Sequence, residues 1–225
     1  MQGPFGGLCF FCGEKLRTIV YIDGFNLYYG VAKNTPHKWI DLGALFRNLL
    51  SAENEITKIR YFTAKVSARP SDPDIPIRQM VYLNALSAYV PHLEITLGNF
   101  KSTVITAPLV TPINGQRFAK VHKTEEKGSD VNLAVHLVND AWRDAFDCAA
   151  IVSNDSDLAE ALRIVKVEHK KKIILLTPGD PHDRWPNTRL SRYASKTLSI
   201  TAAHVAAAQL PNLIPGTTIH KPKAW

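Results

Sequence analysis

Four aspartates carry the strongest chemical signal in this sequence of 225 residues. Asp23 closes the apolar run Thr18-Ile19-Val20-Tyr21-Ile22, and Asp130 stands at the head of an apolar helical stripe. Asp155 and Asp157 follow a second short apolar run, inside Ser153-Asn154-Asp155-Ser156-Asp157. If the two runs are neighbouring strands of an α/β sheet, the four carboxylates meet at its carboxyl edge, where such sheets bind ligands. Carboxylates held close repel and raise one another's pKa, so a cation is their natural partner. Oxygen-only donors select hard ions, Mg²⁺ or Mn²⁺, which activate water and stabilise charge on a phosphate under in-line attack. Singly, each residue also has a plainer use. Asp23-Gly24 suits a turn, Asp130 an N-cap, and Asp157 with Glu160 a capping box.

The elements that must position these residues are readable as alternating patterns. The run 18–22 has strong β-propensity and ends at Asp23-Gly24. Asp41 caps a predicted helix through Leu50, with Leu42, Leu45, Phe46 and Leu49 on one face. A strand is expected over 56–64, a loop at Arg69-Pro70-Ser71-Asp72-Pro73, and a helix from about Asp74 to Tyr89. Strand-like segments near 93–97 and 104–110 precede a loop at Asn114-Gly115. Val131, Ala134, Val135, Val138 and Trp142 form a helical stripe just after Asp130. Cys148–Val152 reads as a buried strand, 158–168 as helix and 172–176 as strand, with a break at Pro178-Gly179-Asp180-Pro181. A short helix near 188–194 and a strand near 198–201 complete the pattern. Strand–helix alternation of this kind implies one α/β domain, a mostly parallel sheet with helices on both faces.

Composition bounds the partners. The hydrophobic fraction is 45% and the charged fraction 21%, which excludes a disordered or low-complexity chain. No apolar run approaches the ~18 residues of a membrane span, and the N-terminus has no basic segment ahead of its short apolar stretch. Three cysteines form no disulfide framework, so the expectation is a cytoplasmic protein without membrane association. The net charge of +7 is uneven: Arg163 to Trp225 holds 11 basic and 3 acidic residues, the remainder 16 and 17. A basic C-terminal quarter, with Lys170-Lys171-Lys172, Arg184, Arg189, Arg192 and Lys196, suits a polyanion such as nucleic acid; a solvated lysine-rich surface is the plainer account.

Three segments together resemble the NYN domain, the LabA-like branch of the PIN-like nuclease superfamily. They are Tyr21-Ile22-Asp23-Gly24-Phe25-Asn26-Leu27-Tyr28, Lys127-Gly128-Ser129-Asp130-Val131 and Ser153-Asn154-Asp155-Ser156-Asp157-Leu158. The similarity runs from about Arg17 to Ile200, and the closing Lys221-Pro222-Lys223-Ala224-Trp225 is also typical of the group. The resemblance implies a Rossmann-like, PIN-like fold and a metal-dependent ribonuclease site. Asp23, Asp130, Asp155 and Asp157 match the family's acidic metal ligands, and Asn26 its polar residue after the first strand. One departure is Asn154, where the family usually has Gly. On this reading Asp23 and Asp155 hold Mg²⁺ or Mn²⁺, Asp130 and Asp157 complete the shell or orient water, and cleavage leaves a 5′-phosphate. Lys127, Ser153 and Asn154 are candidate contacts to RNA, set against a loop role for Lys127 and a simple turn role for the other two. Lys123 reads better as a solvated residue beside Glu125 and Glu126. The implied organisation is an N-terminal extension over 1–16, the NYN domain over 17–202 and an extended tail over 203–225.

Other features point less far. Cys9-Phe10-Phe11-Cys12 is a lone C-x-x-C with no second pair for tetrahedral zinc, which leaves at most a site shared between two chains. Cys148 and Trp39 read as core, and Trp185, among arginines, as a candidate for stacking on a base. No phosphate-binding glycine loop is present, which argues against nucleotide triphosphate and dinucleotide chemistry. A haloacid-type phosphatase needs a second Asp where Phe25 stands. The expectation is therefore a metal-dependent endoribonuclease whose partner is RNA, with a homodimer as one arrangement of such folds. The alternative is an RNA-binding regulatory protein with little turnover.

Overall fold

The computed structural model describes residues 15–225; the Cys9/Cys12 pair lies outside the described residues. Seven strands, β1 (Leu16–Asp23), β2 (Asn54–Ala64), β3 (Leu93–Ile113), β4 (Gln116–Lys127), β5 (Cys148–Val152), β6 (Lys172–Pro178) and β7 (Lys196–Ile200), form one sheet. Their order is β4-β3-β2-β1-β5-β6-β7, and every neighbouring pair is parallel except β3 and β4. The chain builds outward from β1 in one direction, then returns to lay β5 on its other side. That reversal leaves the carboxyl ends of β1 and β5 as the crevice of the sheet.

Side-chain alternation along β1 divides the core in two. Val20 and Ile22 face one side, where α1 (Gly24–Leu27), α2 (Leu42–Leu49), α3 (Ile75–Tyr89) and α7 (Ala202–Ala206) supply apolar partners. Ile19 and Tyr21 face the other, packed on α4 (Ser129–Trp142) and α5 (Ala159–Arg163), with Leu190 of α6 (Thr188–Ser191) behind them. The sheet is thus covered on both faces, as the alternation of elements predicts. α1 and α5 each continue into a π-turn, at Tyr28–Ala32 and Ile164–Glu168. Residues after α7 pack back on the first face, with Leu210 and Ile214 buried and the Trp225 ring 6.2 Å from that of Trp39. Trp39 and Cys148 are both core residues. Among the described residues no helix is long and apolar enough to cross a membrane.

Two regions differ from the sequence expectation. The tail over 203–225, expected to be extended, begins inside α7 and packs into the core through Val205, Leu210 and Ile214. The segments 93–97 and 104–110 are one strand, and Gln116–Lys127, where no strand was expected, pairs with it antiparallel across an Asn114-Gly115 turn. Both turn residues have positive φ, 49° and 78°, as a two-residue hairpin requires. β4 was invisible as a strand because its side chains, from Arg117 to Lys127, are almost all polar or exposed, so no buried face imprints a period of two.

A buried ion pair anchors α4, the helix that carries Asp130. The Arg60 guanidinium on β2 donates to both oxygens of Asp140 at 2.8 and 3.1 Å, and the Tyr21 hydroxyl donates at 2.7 Å. The Arg60 and Asp140 side chains are only 11% and 6% exposed. Removing one partner of such a pair strands the other's charge in the interior. Asp140→Ala is therefore expected to cost about 3–5 kcal/mol, and Tyr21→Phe about 1 kcal/mol. Urea denaturation of the two variants checks this; a loss below about 1 kcal/mol for Asp140→Ala removes the ion pair as the anchor.

Candidate active site

Asp23 ends β1 and is only 3% exposed. Its backbone is extended, and one carboxylate oxygen accepts the Asn26 N–H at 2.9 Å, which caps α1. The other oxygen accepts from the Asn26 side-chain amide at 2.5 Å and the Ser153 hydroxyl at 3.1 Å. Burial raises the Asp23 pKa above its ordinary value, and the bonds from Asn26 and Ser153 oppose that rise.

The segment after β5 is folded around these residues. The Ser153 hydroxyl accepts the Asp155 N–H at 3.1 Å, and an Asp155 carboxylate oxygen accepts the Asp157 N–H at 2.9 Å. Asp155, rather than Asp157, therefore caps the short turn Ser156–Leu158 that opens the next helix. Asp155 is half-buried and Asp157 exposed. Asn154 is not among the residues with positive φ, so it does not replace glycine as a left-handed residue. Its amide instead clamps the loop after β6. Asn154 Nδ2 donates to the Trp185 carbonyl at 3.1 Å, and Oδ1 accepts the Asn187 N–H at 2.7 Å.

Asp130 is the second residue of α4. Gly128, at φ 101°, turns the chain from β4 into the helix, and Glu126 accepts the Ser129 N–H at 3.0 Å. No side chain caps α4 at Gly128, so Asp130 is not its N-cap. The Asp130 carboxyl is pushed up to about 6, first by burial and then by the charges of Asp23, Asp155, Glu126 and Asp157. The four aspartates singled out in the sequence thus share one electrostatic field at the crevice, and Glu126 joins it. Lys127 is exposed at the end of β4 and paired with Glu125 at 3.2 Å; Lys123 pairs with the same carboxylate at 2.6 Å.

Two residues outside the sequence motifs belong to this edge. Arg184 donates to Asn26 Oδ1 at 2.8 Å, an oxygen that also accepts the Asn154 N–H at 3.3 Å. A guanidinium is thereby held beside the carboxylates by a residue 158 positions away. Glu126 is the other, and nothing in its polar surroundings distinguishes it in the sequence. Trp185 is exposed next to Arg184.

A carboxyl raised from 3.8 to about 6 keeps its proton in the folded protein after the unfolded chain has lost it. Native protein then binds the extra proton, so the protein gains stability as pH falls from about 6 towards 4 and loses it as pH rises through 6. Thermal melts in EDTA at pH 4.5 to 7.5 are expected to show Asp130→Asn gaining on the wild type as pH rises through that window. A difference between the two proteins that does not vary with pH refutes the shift.

With the geometry in hand, likeness to known proteins adds the family. The NYN domain profile matches residues 17–201. The 6-hydroxy-3-succinoylpyridine 3-monooxygenase HspA of Pseudomonas putida (strain DSM 28022 / S16) is 33% identical over 238 residues, spanning 94% of this chain and 76% of that protein. The crystal structure of VPA0982, a protein of unknown function from Vibrio parahaemolyticus RIMD 2210633, superimposes with a TM-score of 0.52 at 18% identity. It covers 84% of this chain and 94% of that one, a likeness of fold alone. The match over 17–201 contains every crevice residue described above and carries kinship with the PIN-like nucleases. The chain belongs to the NYN domain family.

Proposed function

We propose that the protein is a metal-dependent endoribonuclease of the LabA-like branch, acting at the crevice between β1 and β5. The observation that supports it is the gathering of Asp23, Asp130, Asp155 and Asp157 at the one sheet edge where the strand order reverses. Among the described residues no three carboxylate, imidazole or thiolate groups stand in ligating reach of one point. The donor set nevertheless suits a hard cation. It is all oxygen, and the neighbouring negative charge, which adds to burial in lifting Asp130, is what a divalent ion neutralises. Asp23, Asp130, Asp155 and Asp157 are the residues that would hold Mg²⁺ or Mn²⁺. When bound, such an ion lowers the pKa of water and offsets charge on the phosphate.

The rest of the chemistry falls to the chain. Asn26 and Ser153 fix the Asp23 carboxylate by hydrogen bonds to its oxygens. Arg184, oriented by Asn26, offers a fixed cation to the RNA backbone. Asn154 holds the loop that carries Arg184 and Trp185 against the crevice. Arg189 and Arg192 follow in the same basic C-terminal quarter, whose charge suits a polyanion.

Purified protein incubated with end-labelled RNA in Mn²⁺, Mg²⁺ or EDTA tests this. Cleavage in either metal and none in EDTA is expected, with Asp155→Asn lowering the rate on the order of 10²-fold or more. RNA that is retained on a gel but left intact replaces the enzyme with an RNA-binding protein. Oxygen-dependent consumption of 6-hydroxy-3-succinoylpyridine, the compound named in the relative from P. putida, replaces it with a hydroxylase.

A further inference from the structure

Behind α1, on the face of the sheet away from α4, lies a cavity of about 430 Å³. It falls within the ~300–1,000 Å³ range typical of small-ligand pockets. Its walls come from α1 and the following π-turn, from β2, and from one face of α3, with Trp225 at the margin. Along α3 the lining positions are Ile75, Arg78, Gln79 and Tyr82, the spacing of a single helical face. An inward face of a helix in a folded core is ordinarily apolar. Here it carries a guanidinium and an amide.

The walls are fixed before any ligand arrives. Gln79 donates to the Ala64 carbonyl at 2.8 Å and accepts the Val66 N–H at 2.9 Å, tying α3 to the end of β2. The Tyr82 hydroxyl donates to the Ile40 carbonyl at 3.0 Å. Arg78 is different. One end of its guanidinium pairs with Asp72, yet its buried Nε has no hydrogen-bond partner. A buried guanidinium N–H without an acceptor is costly, and an acceptor supplied from the cavity would remove that cost.

Two further properties narrow the ligand. The cavity is lined by four cations, Lys33, Lys38, Arg69 and Arg78, against the single carboxylate of Asp72, so its field favours an anion. It is also lined by Phe25, Tyr28, Tyr29, Tyr61 and Tyr82, aromatic side chains that suit a flat, apolar body, with Lys33 Nζ already 5.0 Å from the Tyr29 ring centroid. We propose that this cavity is a binding site for an aromatic anion, its ring against the tyrosines and its carboxylate or phosphate on Arg78 and Arg69. The two sources of such a group are a nucleotide of a bound RNA and a free aromatic acid. The cavity adjoins the crevice. Gly24, the residue after Asp23, lines it, and a Cβ at Gly24 would lie 2.8 Å from the Tyr61 ring. The inference does not rest on the nuclease reading.

Isothermal titration and tryptophan emission of the full chain in EDTA test it. One set of probes is uridine and adenosine 5′-monophosphate; the other is benzoate and nicotinate. Inorganic phosphate, acetate, uridine and benzyl alcohol are the matched controls that lack ring or charge. Saturable one-to-one binding of at least one ring-bearing anion, tenfold or more tighter than its controls, is expected. Binding of the mononucleotides alone assigns the cavity to a nucleotide of RNA, and binding of the carboxylates alone assigns it to a free acid. Arg78→Gln should weaken binding tenfold or more. Because that change also breaks the Asp72 pair, Arg69→Gln and Tyr28→Ala are expected to weaken it independently. Asp155→Asn should leave it intact, which separates this site from the crevice. No saturable binding, binding matched by phosphate or by the neutral rings, or binding indifferent to all three substitutions overturns the proposal.

Discussion

A carboxylate closed off from water at the end of a central strand is the constraint on which this structure turns. Leaving such a group without donors costs several kcal/mol, so Asp23 dictates what its neighbours must be. Asn26 supplies two donors from the start of α1, and Ser153 supplies a third from the end of β5. Asn26 reaches by the local turn into α1, and Ser153 only because β5 lies directly beside β1, in register from Thr18↔Cys148 to Ile22↔Val152. Asn26 then holds Arg184 and the backbone of Asn154, and Asn154 holds the loop at 185–187. One buried charge thereby ties together three segments distant in sequence, 23–26, 153–154 and 184–187.

α4 treats its two acidic ends in opposite ways. Asp140, in its last turns, is satisfied by Arg60 and Tyr21 and is close to fully buried. Asp130, in its first turn, has no such cation and sits in the field of four other carboxylates. The helix N-terminus favours negative charge there, but repulsion and burial prevail. The anchored end holds the strained end in position. The buried pair thus holds in place a cluster of acids that the protein would be more stable without.

Much of this was legible in the residues, and for identifiable reasons. Thr18–Ile22 of β1 and Cys148–Val152 of β5 are buried, largely apolar runs, so their limits are sharp, and the acids at or after their ends fall at the sheet edge by topology alone. Trp39 is core as a large aromatic ordinarily is, and Cys148 because it lies in a buried strand. The polar half of the site was harder to read. Arg184 reaches Asn26 through a loop whose path depends on the clamp at Asn154, and no local spacing encodes that contact. Glu126 looks like one more charge in an exposed strand. The capping role belongs to Asp155 and not to Asp157, because the turn begins two residues earlier than the pattern Asp157…Glu160 suggests. The aromatic cavity could not be seen at all, since it assembles one face of α3, the π-turn after α1 and Trp225.

The β3–β4 ribbon leaves the body of the sheet at Gly98, where pairing with β2 ends. From Asn99 to Ile113 it runs on for about 50 Å with no third strand to steady it. Val104, Val110, Ile113 and Phe118 are exposed on it, and β4 is an edge of the sheet with an unpaired row of backbone groups. Such edges invite pairing between molecules. Like charge opposes such pairing: between Lys101 and Lys123 there are four cations, Lys101, Arg117, Lys120 and Lys123, and no acid. That protection has a range set by the solvent, about 8 Å in physiological salt and about 3 Å at 1 M. The repulsion that guards this edge therefore weakens as ionic strength rises.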